Sequence, residues 1–212
     1  MYKALFEAAS KHLRTNGIEP LLIEGEPISE ARLLDAERKI GRPIPQDLRT
    51  FFLEMGDGFQ FIPDREKENL FFMVSWLEDI VDNADFPKIL QEEAEDTGGN
   101  PSDLVAAELK RRQNWLPIYN IGGGGYMFCL DLEESPSPVR YYERCYWPSD
   151  APETWTFKLA DSFHDFVLQW SRYCFEEANG ATLINIAMGL TGKFDWAPTR
   201  FNPIYDRGKT DV

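Results

Sequence analysis

Trp115-Leu-Pro-Ile-Tyr-Asn-Ile-Gly-Gly-Gly-Gly-Tyr-Met-Phe-Cys-Leu-Asp-Leu132 places two apolar runs of strand length on either side of four consecutive glycines, Gly122 to Gly125. Glycine adopts positive φ without steric cost, so these residues can reverse the chain tightly. The second run stays almost continuously apolar as far as Asp131, the pattern of a strand covered on both faces. The segment therefore reads as the central hairpin of a buried sheet.

Outward from this hairpin, strands are expected at residues 59–62 and 70–74, paired around the charged turn 64–69. Two more follow at 139–144 and roughly 154–159, set off by the Pro-rich turns 135–138 and 148–152. Residues 2–15 have helical spacing, with Tyr2, Leu5, Phe6, Ala9 and Leu13 on one stripe and Asn16-Gly17 as the stop. Ser29 caps a second helix that carries Leu33, Ala36 and Ile40 on one face and ends at Gly41. Pro45 suits the first turn of a third, in which Leu48, Phe51, Phe52 and Met55 form a buried stripe before Gly56-Asp57-Gly58 closes it. Ser75 and Glu78 have the spacing of a capping box, which predicts a short helix from about Trp76. Asp161 or Ser162 caps a longer helix, with Phe163, Phe166, Val167, Trp170, Tyr173 and Cys174 along its apolar side. A short helix over 182–190 and an irregular tail from Lys193 complete the chain.

A chain of 212 residues with 43% hydrophobic and 14% aromatic residues can bury a sizeable core in one domain. The 22 basic and 36 acidic residues leave a net charge of −14, which works against direct binding of nucleic acid and favours basic partners. Cys129, Cys145 and Cys174 show no Cys-x-x-Cys spacing, so no zinc or redox motif is signalled, and three scattered thiols suit a reducing cytoplasm. No apolar run approaches the roughly 20 residues that a spanning helix needs.

Candidate chemistry is sparse. The four glycines lack the Lys-Ser/Thr pair of a phosphate loop and are followed by a strand, so a turn explains them. His12 and His164 are far apart in sequence and read as solvated helix positions. Asp131 with Glu133, and Asp79 with Asp82, are carboxylate pairs of a kind that acid–base catalysis uses, although an acidic chain supplies many such pairs. Trp76, Trp115, Trp155 and Trp170 read as core or edge packing, and Trp147, in a Pro-bounded turn, as the exposed one. From Glu78 to Asp103 acidic residues are frequent and Lys88 is the only basic one. This stretch is either a solvated face or a docking surface that steers a basic protein, with Asp79, Asp82, Asp85, Glu92, Glu93, Glu95 and Asp96 as the candidate contacts.

Three motifs in fixed order resemble the SUKH superfamily. The first is Ala36-Glu37, Gly41, Ile44-Pro45, a helix with paired aromatics, and Gly56-Asp57-Gly58. The second is Leu116-Pro117-Ile118 with the glycine turn and Cys129-Leu130-Asp131-Leu132, and the third runs from Leu159-Ala160-Asp161-Ser162-Phe163 to Phe166. The resemblance covers about 26–170 of a single domain, with 82–113 as an acidic helical insertion and 180–212 as a C-terminal extension.

It implies an α+β domain, a mostly antiparallel sheet packed by helices, in the SUKH (Smi/Knr-like) fold. The superfamily includes fungal regulators of cell-wall glucan synthesis and bacterial immunity proteins that block a nuclease or deaminase toxin. It has no shared catalytic residues. The expectation is thus a cytoplasmic, non-catalytic immunity protein with no cofactor or metal. It would bind a basic toxin domain, with no direct nucleic-acid or membrane contact. A regulatory scaffold without a toxin is the alternative, and an enzyme acting on a small substrate is the third.

Overall fold

The computed structural model describes residues 1–65, 72–85, 110, 112–121, 126–143, 156–171 and 175. In chain order these form α1 (Tyr2–Thr15), β1 (Leu21–Ile23), α2 (Glu30–Ile40), α3 (Gln46–Met55), β2 (Gln60–Ile62) and β3 (Phe72–Met73). Then come α4 (Leu77–Asp82), β4 (Trp115–Ile121), β5 (Tyr126–Asp131), β6 (Val139–Glu143), β7 (Thr156–Ala160) and α5 (Phe163–Ser171). The helices expected within 82–113 and at 182–190, the glycine turn, Trp147, Trp155, Tyr173 and Cys174 lie outside the described residues.

The amphipathic stripes are buried as their spacing requires. Tyr2, Leu5, Phe6, Ala9 and Leu13 of α1 and Leu48, Phe51, Phe52 and Met55 of α3 are all in the core. Ser29 Oγ accepts the Arg32 N–H at the start of α2, and Gly41 ends that helix with φ +76°. Pro45 is the N-cap of α3, one residue ahead of the expected first turn. At the other end of the chain Ser162 Oγ accepts the Asp165 N–H and starts α5.

The α+β class holds, and among the described residues the strands pair antiparallel. They are divided between two sheets, in the orders β1-β2-β3 and β4-β5-β6-β7. The hairpin that organises the sequence therefore lies at one margin of the second sheet, with β4 as the outer strand. Its register runs from Trp115 opposite Asp131 to Ile121 opposite Tyr126. Met127, Phe128, Cys129 and Leu130 of β5 are all buried, as the unbroken apolar run predicts. Pro117 has no N–H to donate, and the β4–β5 ladder shifts register between Pro117 and Tyr119. Ile118, skipped by that shift, turns its carbonyl to the Ser75 N–H at 2.8 Å and so links the two sheets just beyond β3.

Aromatic rings fill the space between helices and sheets. Phe6 packs on Phe59 at 4.6 Å and on Phe175 at 4.3 Å, and Phe72 meets Trp170 at 5.0 Å. Phe128 of β5 meets Phe166 at 5.2 Å and Trp170 at 5.9 Å, so the second sheet joins the same cluster. Burial pushes the Cys129 thiol up to about 12, which keeps it an inert apolar filler at neutral pH.

α3 also supplies the caps of two other helices. Asp47 Oδ2 accepts the His164 N–H at 3.0 Å at the start of α5. Glu54 accepts the N–H groups of Tyr2 and Lys3 at 3.0 and 2.9 Å, with the Met1 amino group beside them. Burial alone would raise the Glu54 pKa, but these donors hold it below the ordinary carboxylate range. Its contribution to stability is present above the unfolded value of about 4.3 and is lost as pH falls through the lower folded value. Glu54→Gln is expected to cost about 1 kcal/mol at pH 7 in urea unfolding and to remove that part of the acid transition.

Candidate functional site

One chain crossing and one buried carboxylate define a polar site. Gly25 and Gly56 pass with their backbones in direct contact, and a Cβ on Gly56 would come within 2.6 Å of the Gly25 carbonyl carbon. Gly56 has φ +83° and ψ 173°, a conformation open essentially to glycine alone. This crossing lets Glu26 and Asp57 exchange backbone hydrogen bonds at 2.7 and 2.8 Å.

The Asp57 side chain is buried, and it is held from two sides. Its Oδ1 accepts the Leu77 N–H at 2.7 Å. Its Oδ2 lies 2.7 Å from Arg32 Nη2 of α2, the approach of an ion pair and not of an aligned hydrogen bond. Asp57 thus caps α4 from twenty residues away. The N-cap residue is Trp76 and makes no side-chain cap bond, so the capping box expected of Ser75 and Glu78 does not form. Ser75 instead donates its N–H to the Ile118 carbonyl.

α4 presents acid outward. Leu77 and Ile80 are buried, while Glu78, Asp79, Asp82 and Asp85 are exposed, and among the described residues none of the four pairs with a cation. The structure so places Asp79, Asp82 and Asp85 together on and just after one short helix. Glu92, Glu93, Glu95 and Asp96 lie outside the described residues.

Trp76 departs from the expected packing role, since 41% of it is exposed. Its indole lies flat against Gly58, where an added Cβ would come within 2.1 Å of the ring. The Gly-x-Gly step that reads as a helix stop therefore has two separate reasons: Gly56 admits the Gly25 backbone, and Gly58 admits an indole. No local signal in the sequence connects Gly58 to Trp76, eighteen positions on.

The other candidates are neutralised or structural. Asp131 is buried and bound by Arg140 Nε at 2.7 Å, and the same guanidinium reaches Glu134 at 2.6 Å. With Asp131 committed to Arg140, it is not half of an acid–base pair with Glu133. Arg140 and the buried Arg112 both lie against the Trp115 ring, at 5.8 and 5.7 Å. His164 is half-buried beside Tyr2 at 5.7 Å, and so is not the solvated position its sequence context implies. His12 of α1 is likewise half-buried, with Nε2 3.2 Å from Asn16 Nδ2, so it too is not a fully solvated position. Among the described residues no group of His, Cys, Asp or Glu is arranged to hold a metal ion, and no helix is long and apolar enough to cross a membrane.

Two antiparallel sheets packed by helices thus carry an acidic helix and a partly exposed indole at the surface. Residues 27–169 match the SMI1/KNR4 family (SUKH-1) model, and the chain belongs to that family. Among the curated proteins none matches this chain. The matched span begins just after the Gly25 crossing and includes the Glu37 carboxylate. Glu37 Oε1 accepts the Ile44 N–H at 2.9 Å and Arg49 Nη1 at 2.8 Å, which joins the α2–α3 turn to both helices.

Proposed function

We propose that this chain is a cytoplasmic immunity protein that binds and neutralises a cognate toxin of nuclease or deaminase type without catalysis of its own. Family membership supports a protein-binding role. The observation that carries the toxin reading is the outward face of α4, where Glu78, Asp79, Asp82 and Asp85 project without a described cationic partner. An enzyme that grips phosphates has a basic cleft, and an acidic helix occupies such a cleft in place of the substrate backbone. The acidic run Glu92, Glu93, Glu95 and Asp96 extends the same charge along the sequence.

The test starts from the neighbouring genes: a toxin domain encoded there is co-expressed with the chain, and the lack of one removes the toxin reading. The chain is expected to restore growth, and the Asp79→Lys, Asp82→Lys, Asp85→Lys triple variant to associate with that toxin about tenfold more slowly at low salt. The deficit shrinks as salt screens the charges. Growth that is not restored, or association that is unchanged in the triple variant, removes the toxin reading. The regulatory scaffold, which family membership equally allows, then takes its place.

A further inference from the structure

The exposed indole stands in a setting that an unused side chain would not need. The Trp76 backbone is pinned on both sides, by Ser75 N–H on Ile118 and by Leu77 N–H on Asp57, and its own carbonyl accepts the Ile80 N–H at 3.0 Å. One ring face rests on Gly58, and the residue is still 41% exposed. An aromatic group fixed in this way loses little conformational freedom when a partner covers it, and buried Trp anchors carry a large share of interface energy. Asp79 follows Trp76 by three positions, on the exposed side of the same short helix. No described cation neutralises Asp79.

We infer that Trp76 is the anchor of the partner interface and that its open face takes an arginine guanidinium from a basic protein loop, with Asp79 and the rest of the α4 acidic face holding flanking cations. The occupant follows from charge complementarity. An uncharged apolar partner would leave the carboxylates facing it desolvated and unpaired. Among cations, guanidinium stacks on an indole as a planar, weakly hydrated group, which a lysine ammonium cannot do. The inference deepens the immunity reading and rests on it for the identity of the partner, but its chemistry can be tested separately.

The probes are fluorescein-labelled nona-arginine and nona-lysine peptides, titrated against the full chain and followed by fluorescence anisotropy. Nona-arginine is expected to bind about tenfold tighter than nona-lysine of equal charge. Trp76→Ala should abolish that preference with the urea midpoint little changed, and Trp76→Phe, which keeps a ring over Gly58, should retain part of it. Asp79→Lys should weaken both peptides alike. Equal binding of the two peptides, or a preference that survives Trp76→Ala, overturns the assignment. So does self-association of the chain that Trp76→Ala abolishes, because the face would then belong to a second copy. If the arginine preference is found and growth is not restored, the anchor stands and the toxin reading falls. If growth is restored and the two peptides bind equally, the toxin reading stands and the anchor falls.

Discussion

Asp57→Ala is expected to lower the unfolding free energy by about 3 kcal/mol, because it orphans a buried N–H and releases an ion-paired guanidinium in one step. The carboxylate is buried, Leu77 N–H has Oδ1 as its partner at 2.7 Å, and Arg32 faces Oδ2 at the same distance. Arg32 is half-exposed and can turn to water, so most of the loss comes from the cap. Asp57→Asn separates the two contributions. It keeps an oxygen for Leu77, gives Arg32 no charge, and should cost about 1 kcal/mol. Urea unfolding reads the totals, and hydrogen exchange shows where they act, with the α4 amides losing protection before the rest of the chain. A shift under about 0.5 kcal/mol for the alanine variant would mean that α4 does not depend on this carboxylate.

Gly56→Ala is expected to be worse, at about 4 kcal/mol or more, since strain and overlap add. The φ of +83° with an extended ψ excludes a side chain on conformational grounds. The Cβ would also lie 2.6 Å from both the carbonyl carbon and the oxygen of Gly25, which is backbone and cannot swing aside. Gly17→Ala is the control. That residue has a similar φ of +78° with nothing near its Cβ, so the cost should fall to about 1 kcal/mol. If the two alanine variants unfold at the same denaturant concentration, overlap at the Gly25–Gly56 crossing contributes nothing.

The legible parts of this fold are those in which a residue's partners are near it in sequence. The span of α1, the Ser29 cap and Gly41 stop of α2, and the buried stripe of α3 all follow from spacings within one helix. The unbroken apolar run of β5 likewise announced its burial on both faces. Distant partners left no such trace. Ser75 and Glu78 have the right spacing to cap α4, but Asp57 reaches Leu77 first and Ser75 is held by Ile118. β1, a strand of only three residues, adds to the β2–β3 hairpin by a pairing that nothing nearby in the sequence encodes. His164 looked solvated because its neighbour is Asp165, whereas Tyr2 and Asp47, from the other end of the chain, enclose it. Of the candidate interface, the acidic face of α4 is visible as charge, and the setting of Trp76 is not, because its ring rests on Gly58, eighteen positions away.

The contact between α4 and β4 has a consequence for how such a protein can diversify. α4 ends at Asp82 and β4 begins at Trp115, and the two elements are in contact. Loop-closure entropy changes by only about 0.6 kcal/mol when a connection doubles in length. A change in the length of the connection between these two elements is therefore expected to cost little in closure entropy, and the ring-packed interior can stay the same while that connection varies.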